Sequence, residues 1–328
     1  MSAVVVIGSA NLDLTVAVER LPREGETILG GELLLADGGK GANQAVAALR
    51  AGAEVRFLAN LGRDAFGDRI CRNLVAAGLP AEGLLRDESA PTGVALIVVD
   101  RQGRNQIAVA PGSNGSLVPE MIETNETFLA AGTVMLLQLE IPIATVERAL
   151  QCGAARGMAT IVNPAPARDL PESLLRYVDL LTPNETEAEA LTGIVVRDPE
   201  SAAEAARALL TRGPRAVIVT LGSQGALLRT GSIVRHFPAL PVEVIDTTAA
   251  GDAFNGALAA ALAASAKLDA LRDARTLEEA ARFANAAGAL ATTKRGAQES
   301  LPTKDEILGL LSRFGRDRSI SGSSEPPR

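Results

Sequence analysis

The stretch DTTAAGDAFNGALAAAL, which starts at Asp246, places small and polar residues directly before a long helix rich in alanine and leucine. Ala249, Ala250 and Gly251 bring backbone amides to the start of that helix, where free N–H groups and the helix dipole together favour an anion. Asp252 follows at the same terminus, and its carboxylate would repel a phosphate unless it acts as a base. The structural alternative is that Asp252 only caps the helix, a common and stabilising use of aspartate.

A second segment, DGGKGANQ, starts at Asp37 and is rich in glycine. Its glycines expose backbone before another predicted helix, while Lys40 and Asn43 add polar side chains. Backbone, amide and ammonium groups of this kind suit the recognition of a polyol. A tight strand-to-helix turn with no ligand is the alternative.

Polar residues also follow two predicted buried strands. Asn11 and Asp13 come directly after the first strand, and Glu140 ends the run VMLLQLE. The carboxyl ends of parallel strands are where open α/β sheets bind ligands, so these residues are candidates for a site. Each could instead be a surface loop residue.

Two further motifs lie in the second half of the chain. In TPNETE, Asn184 and Glu187 stand three residues apart, which fits a capping box or a carboxylate that positions hydrated Mg²⁺ beside a phosphate. The run TLGSQGALL, from Thr220 to Leu228, is a glycine turn after a strand, either an ordinary hairpin or the floor of a nucleotide site. The chain has no GxxxxGK[ST] motif and no GxGxxG after the first strand, so phosphate would be bound by another device.

Short apolar runs alternate with amphipathic or alanine-rich segments, which predicts a parallel sheet flanked by helices. The predicted strands are Val4–Ile7, Val55–Ala59, Val134–Gln138, Thr160–Asn163, Leu180–Thr182 and Ala216–Thr220. The predicted helices are Asn43–Ala51, Gly67–Ala77, Ile143–Arg156, Glu185–Leu191 and Ala202–Thr211.

Two regions interrupt this alternation, residues 13–37 and 92–110. Their polar–apolar alternation and turn residues predict antiparallel strands outside the main sheet, forming a flap or a dimer surface. The polar, Gly/Ser/Pro-rich segment at 313–328 is expected to be a disordered tail.

Composition excludes several classes of function. A net charge of −7 and 2% aromatic residues argue against a nucleic-acid binder, which needs basic stripes and stacking rings. Cys71 and Cys152 form no CxxC pair, so neither a disulfide framework nor a zinc site is expected. The single histidine, His236, is interpreted as structural. With no signal peptide and no apolar run long enough for a membrane span, we expect a soluble cytoplasmic protein without a membrane partner.

Together the motifs place hydroxyl-binding groups, an acid, an Asn/Glu pair, a glycine turn and an anion site at one end of one sheet, which suits phosphoryl transfer to a hydroxyl. The segments GGKGANQ, TPNETE, TLGSQG, DTTAAGDAFNGALA and RFANAAGALATTKRGAQES resemble the ribokinase branch of the phosphofructokinase-B type carbohydrate kinases. The resemblance runs from about Val4 to about Leu311. It implies one kinase domain over residues 1–312, a three-layer α/β/α fold with a mostly parallel central sheet, and a small β-sheet lid formed by the two interrupting regions.

The resemblance also implies residue roles. Asp252 would be the general base, and the amides of Ala249, Ala250, Gly251 and Asp252 would hold the charge of the transferring phosphoryl group. The sugar would be bound by Asn11, Leu12, Asp13, Gly39, Lys40, Gly41, Ala42, Asn43, Glu140 and Asp252. ATP would be bound by Asn184, Thr220, Leu221, Gly222, Ser223, Gln224, Gly225, Gly251, Asp252 and Asn285, with Glu187 near Mg²⁺. A monovalent cation, K⁺, would be held around Asp246, Thr248, Ala291, Lys294, Gly296 and Ser300.

The activity implied by the resemblance is ATP-dependent phosphorylation of D-ribose at O5, in a homodimer paired through the lid. Alternatives within the family are 2-deoxyribose, a nucleoside, or another pentose or hexose as the acceptor. A non-catalytic sugar sensor is an alternative of a different class. This sequence departs from the family pattern at Arg295, where many relatives carry lysine, and in a long loop at 264–276.

Overall fold

The computed structural model describes residues 3–129, 132–265 and 273–317, which form a large sheet between helical layers and a separate small sheet. The strands are β1 (Ala3–Ile7), β2 (Asn11–Val18), β3 (Leu33–Gly38), β4 (Glu54–Gly62), β5 (Leu84–Asp87), β6 (Gly93–Asp100), β7 (Asn105–Ala110), β8 (Gly132–Leu137), β9 (Ala159–Val162), β10 (Leu180–Leu181), β11 (Ala216–Thr220), β12 (Ala226–Thr230) and β13 (Val234–Phe237). The helices are α1 (Lys40–Arg50), α2 (Ala65–Ala76), α3 (Pro119–Thr124), α4 (Glu126–Leu129), α5 (Ile143–Ala155), α6 (Glu172–Leu175), α7 (Glu185–Thr192), α8 (Pro199–Leu210), α9 (Ala250–Ala264), α10 (Ala274–Ala291) and α11 (Lys304–Asp317).

The large sheet has nine strands in the order β13-β12-β11-β10-β9-β8-β1-β4-β5. Strands β11 through β5 run parallel, whereas β12 and β13 add an antiparallel edge. The chain moves outward from β1 to β4 and β5, then returns to β8 on the other side of β1. Strand order therefore reverses between β1 and β8, and such a point opens a crevice at the carboxyl ends of the strands.

The central strand β1 is buried on both faces, as its uninterrupted Val/Ile run predicts. Val4 and Val6 pack in one apolar cluster, and Val5 and Ile7 pack in the other. Residues of α1, α9 and α10 belong to the first cluster, while those of α5 and α8 belong to the second. The predicted three-layer α/β/α fold with a mostly parallel sheet is confirmed.

Helices α1 and α9 pack unusually close together, and this contact sets the geometry of the site. A Cβ atom at Gly256 of α9 would lie 2.5 Å from the Ala47 side chain and 2.6 Å from the Gln44 carbonyl oxygen of α1. The small residues of α9 are therefore a packing requirement. They bring the first turns of the two helices into side-chain contact.

The second sheet has the order β3-β2-β6-β7 and contains the regions predicted to form a lid. The β2–β3 and β6–β7 pairs are antiparallel, as predicted, and the two pairs are joined by β2 and β6, which run parallel. The reason is that the chain leaves this sheet after β3, crosses the large sheet as β4 and β5, and re-enters in the direction of β2. Residues 19–32 of the first lid region contain no strand.

Some boundaries differ from the sequence prediction. Helix α1 begins at Lys40, three residues before the predicted start at Asn43, and α11 continues to Asp317, so residues 313–317 are helical instead of disordered. Residues 318–328 of the predicted tail, and most of the long loop expected at 264–276, lie outside the described residues. No helix in the described ranges is long and apolar enough to cross a membrane. Both Cys71 and Cys152 are free thiols.

Candidate active site

A pocket of about 220 Å³ opens at the carboxyl ends of β9, β10 and β11 in the large sheet. It brings together residues that the sequence assigned to four separate motifs. The lining residues singled out in the sequence are Lys40, Asn184, Glu187, Thr220, Ala249, Ala250, Gly251 and Asp252. Those that the sequence reasoning did not single out are Asn163, Ala165, Thr182, Thr247 and Asn255.

The start of α9 leaves backbone donors open to this pocket. Ala249 is the N-cap residue, with φ 58° and ψ 10°, and it is the one non-glycine residue with positive φ in the described part of the chain. No side chain caps the helix, and the amides of Gly251 and Asp252 have no acceptor among the described residues. Free amides at a helix start, lined by small residues, can bind an anion closely.

Asp252 does not cap α9. Its Oδ2 accepts a hydrogen bond of 2.9 Å from Asn43 Nδ2, and its Oδ1 accepts one of 2.9 Å from Gln44 Nε2. Both donors belong to the first turns of α1. Burial raises the pKa of Asp252, which Lys40 and these two amides only partly offset. The carboxylate is therefore held across the pocket as a base of more than ordinary strength for aspartate.

Glu140 closes the start of α1 from the neighbouring strand end. Its Oε2 accepts hydrogen bonds from the Lys40 amide, at 3.0 Å, and from the Ser9 hydroxyl. Glu140 is therefore tied into the site, and the surface-loop alternative does not describe it. Burial by itself would lower the pKa of Lys40, but the nearby carboxylates of Asp252, Glu140 and Glu187 raise it.

The residues of the NLD motif lie where the glycine-rich turn approaches β2. Asn11 is buried, and its Oδ1 accepts from Asn114 Nδ2 at 2.7 Å. Burial, with help from nearby carboxylates, raises the pKa of Asp13 to about 7. A Cβ atom at Gly38 would lie 2.3 Å from Asp13 Oδ2, and one at Gly39 (φ 88°) would lie 2.7 Å from the Asn11 amide. The glycines therefore make a tight turn and also admit these polar groups.

Asn184 and Glu187 form a complete capping box at the start of α7. The Glu187 amide donates to Asn184 Oδ1 at 2.8 Å, and the Asn184 amide donates to Glu187 Oε2 at 2.9 Å. The structural alternative is therefore correct as far as it goes, yet both residues also line the pocket. Burial raises the pKa of Glu187, against the lowering effects of the Asn184 amide and Lys40.

The turn after β11 connects β11 to β12 as an antiparallel hairpin, and of its predicted nucleotide-binding residues only Thr220 lines the pocket. Gly225, with φ 91°, lies against the 237–239 segment, where a Cβ atom would be 2.0 Å from the Phe237 carbonyl oxygen. Asn285 donates to the Pro238 carbonyl at 2.9 Å, and His236 bonds the Gln224 carbonyl at 2.7 Å. The hairpin turn and Asn285 thus contact the same short segment.

The residues expected around K⁺ include two loops that are joined by hydrogen bonds to the Asp246 carboxylate. Asp246 Oδ1 accepts from the Thr248 amide at 2.9 Å, and Oδ2 accepts from the Gly296 amide at 3.0 Å. Burial would raise the pKa of Asp246, but these hydrogen bonds lower it below the ordinary value. The buried Ser300 donates to the Ala297 carbonyl, whereas the Lys294 side chain points to Glu306. Ala291 is buried in the last turn of α10.

Comparison with known proteins shows the family of the chain. The model for pfkB family carbohydrate kinases matches residues 1–304. The chain belongs to this family. It is 39% identical over 306 residues to ribokinase from Haemophilus influenzae, covering 93% of this chain and 97% of that protein. It is 36% identical over 310 residues to deoxyribokinase from Salmonella typhi, covering 94% of this chain and 98% of that protein. A solved structure of ribokinase from Arabidopsis thaliana with ribose and ATP matches with a TM-score of 0.86 at 33% identity, covering 95% of this chain and 99% of that one.

The family membership predicted from the sequence is therefore confirmed, and the chain is a carbohydrate kinase. The residues that sequence reasoning missed in this kinase form a buried polar network, in which Asn163, Thr182 and Asn255 line the pocket and Gln44 and Gln138 do not. Asn163 and Thr182 each ended a predicted strand, which was the available signal. Gln44 and Asn255 carried no such signal, because one polar residue in an alanine-rich helix resembles an exposed position.

Proposed function

We propose that this carbohydrate kinase transfers the γ-phosphoryl group of ATP to O5 of D-ribose, producing D-ribose 5-phosphate and ADP. The observation that carries the proposal is one pocket in which the Asp252 carboxylate lies beside the open amides at the start of α9. A base for a hydroxyl and a site for a phosphoryl group are the two parts that such a transfer needs. The full-length similarity to ribokinases supports ribose as the acceptor.

In the proposed reaction, Asp252 takes the proton of the acceptor hydroxyl as the new O5–P bond forms. The bond between the γ-phosphorus and the bridging oxygen breaks, and its electron pair leaves with ADP. The amides of Gly251 and Asp252 donate to the phosphoryl oxygens, and Lys40, which also lines the pocket, supplies positive charge. Because the pKa of Asp252 is raised by burial, activity should decline on the acid side at a higher pH than an ordinary aspartate would give.

Sugar recognition is assigned to the groups that surround Asp252. Asn43 Nδ2 donates to Asp252. Asn43 Oδ1 is buried without a hydrogen-bond partner and can accept from a hydroxyl. Glu140 and Asp13 add acceptors, and Asn11 presents an amide whose oxygen is already bound by Asn114. A site of this kind discriminates strongly, because a missing sugar hydroxyl leaves buried polar groups unpaired.

The donor set at the nucleotide end fits magnesium held mainly by water and phosphate. Within the described residues no three His, Cys, Asp or Glu side chains form a cluster that could hold a metal ion. The pocket lining contains two carboxylates, the proposed base Asp252 and Glu187. Mg²⁺ often takes one or two carboxylates and keeps several waters. When bound with ATP, the ion would neutralise phosphate charge during the transfer.

We also propose K⁺ binding at the joined loops of Asp246 and Gly296, and dimerisation through the lid in a reducing, cytoplasmic setting. The Asp246 carboxylate joins the two loops by accepting from the Thr248 and Gly296 amides, and Thr248 directly precedes the N-cap of α9. The lid strands carry exposed apolar residues whose burial a second copy would provide, namely Leu33, Leu34, Leu35, Leu96, Ile107 and Val109. A potassium titration and light scattering test these two points.

An ADP-release assay over a panel of sugars tests the proposal as a whole. Ribose should give the highest kcat/KM, and Asp13→Ala should raise the ribose KM far more than the ATP KM. A higher kcat/KM for 2-deoxyribose or for a nucleoside would transfer the assignment to that acceptor. Sugar binding without turnover of any acceptor would favour the sensor.

A further inference from the structure

Gln44 is a buried side chain that contacts Asp252 but does not line the pocket. Its Nε2 donates to Asp252 Oδ1 at 2.9 Å and to Asn163 Oδ1 at 3.0 Å, so both amide hydrogens are used. Its Oε1 accepts from Gln138 Nε2 at 2.6 Å. Every polar atom of this amide is therefore engaged within the protein.

The orientation of the Gln44 amide is fixed by a backbone group. The Thr182 carbonyl can only accept, and it accepts from Asn163 Nδ2 at 2.9 Å. The Asn163 side-chain oxygen must therefore face Gln44, and the Gln44 NH₂ group must donate to it. The same NH₂ group reaches Asp252, so the donor that faces the carboxylate is set by strands β9 and β10 and not by the ligand.

We propose that Gln44 is a positioning residue for Asp252, holding one carboxylate oxygen so that the charged, proton-accepting form is kept in a fixed place. The inference rests on the proposed role of Asp252 as the base. Asn43 bonds the other oxygen but is also assigned to the sugar, so it reports on two functions at once. Gln44 does not line the pocket, so a substitution there tests the positioning of Asp252 without removing a ligand contact.

The alternative is that Gln44 only joins α1 to the sheet. Both readings expect a loss of stability on substitution, because a buried acceptor left without a donor is costly. They differ in what happens to Asp252. Loss of a hydrogen bond to the charged form disfavours that form, so positioning requires the pKa of Asp252 to rise when the donor is removed.

The test compares Gln44→Met with Asn60→Leu. Asn60 is a matched control, since its buried Nδ2 also donates to a carboxylate, Asp87 Oδ2, and to a carbonyl, that of Ser113, both away from the pocket. In Gln44→Met we expect kcat to fall about 10- to 100-fold, with the ribose and ATP KM values nearly unchanged, and the acid limb of kcat to move up by about one pH unit. Asn60→Leu should lower stability to a similar degree and leave the acid limb in place.

A second readout does not depend on activity. The ¹³C carboxyl resonance of Asp252, assigned by its absence in Asp252→Asn, should titrate at a higher pH in Gln44→Met than in the wild type. An unchanged titration in folded Gln44→Met overturns the inference, as does an equal shift in Asn60→Leu. If Gln44→Met fails to fold, Gln44→Leu, which also lacks the amide donor and adds no charge beside Asp252, must move the titration upward. A wild-type protein that lacks ribose kinase activity would refute the proposed function, while the resonance would still report on Gln44.

Discussion

Two helices begin at the same pocket with an acidic residue at the same position, and they use it in opposite ways. In α7 the third residue, Glu187, turns back to the N-cap amide of Asn184 and closes a capping box. In α9 the third residue, Asp252, turns away to the amides of α1 and leaves the helix start open. In both helices the acidic residue lies three residues after the N-cap, so the difference lies in the hydrogen-bond partners of each carboxylate.

The position of an acidic residue near a helix start therefore does not by itself reveal whether the residue caps the helix. A carboxylate that satisfies its own helix uses up the amides that an anion would need. A carboxylate held by another helix leaves those amides free. What decides between them is the α1–α9 contact, which brings Asn43 and Gln44 within reach of Asp252.

The most severe test of the comparison is Asp252→Asn. Asparagine ranks with aspartate as a cap, so a capping role predicts little change. A base role predicts that kcat falls by about 10²- to 10⁴-fold, the range for general-base assistance. Steady-state kinetics decide the matter, with circular dichroism and ATP binding as controls that should stay normal or, for ATP, improve. A folded variant with nearly wild-type kcat would contradict the base role of Asp252 and remove the functional difference between the two helix starts.

Asp252→Glu sharpens the same point, because it retains the acid and changes its position. The longer side chain cannot keep both bonds to Asn43 and Gln44 in the packed α1–α9 interface. We expect kcat to fall by about 10²-fold, since a misplacement of about 1 Å can have that effect. Kinetics and a urea unfolding curve measured on the same sample separate misplacement from unfolding. Retention of full activity would show that the carboxylate need not be held in place.

Asn184→Ala opens the other terminus. Removing half of the capping box should lower the free energy of unfolding by about 1 kcal/mol. Asp198→Ala at α8 is the matched control, because Asp198 forms a capping box with Ser201 outside the pocket. Both variants should lose similar stability in urea unfolding, but only Asn184→Ala should raise the KM for ATP. Equal ATP KM values in the two variants would restrict Asn184 to capping.

The smallest effect is expected for Ala249→Gly. The left-handed conformation of Ala249 is unfavourable for a side chain, so glycine relieves strain, but it also adds freedom to the unfolded chain. These effects oppose each other, and we expect the free energy of unfolding to change by less than about 1 kcal/mol. Ala249→Val, with a branched Cβ, should be clearly destabilised in the same measurement. A tolerant response to valine would mean that the turn is not held in this conformation.

Much of the fold could be predicted from the sequence, because its evidence is periodic and local. The uninterrupted Val/Ile runs identified β1 and its neighbours. Of the polar residues predicted to follow strands, Asn184 and Thr220 line the pocket, whereas Asn11 and Asp13 lie in β2 of the small sheet. The direction of β6 relative to β2 could not be predicted, since strand alternation reports which face is buried and not which way a neighbour runs. Gln44 was missed because its importance comes from Asn163 and Asp252, which are far away in sequence.

The place of β1 in the large sheet has a consequence for how the chain is made. This strand is synthesised before both of its neighbours, since it needs β4 on one side and β8, which ends at Leu137, on the other. Until that point is synthesised, an apolar strand keeps one row of backbone donors and acceptors unpaired, the condition in which strands join the wrong partner. Pairing between segments so far apart is also slow to form. The amino-terminal half of this kinase therefore cannot mature as a separate unit during translation, and its growing chain depends on protection from aggregation until the central strand is enclosed.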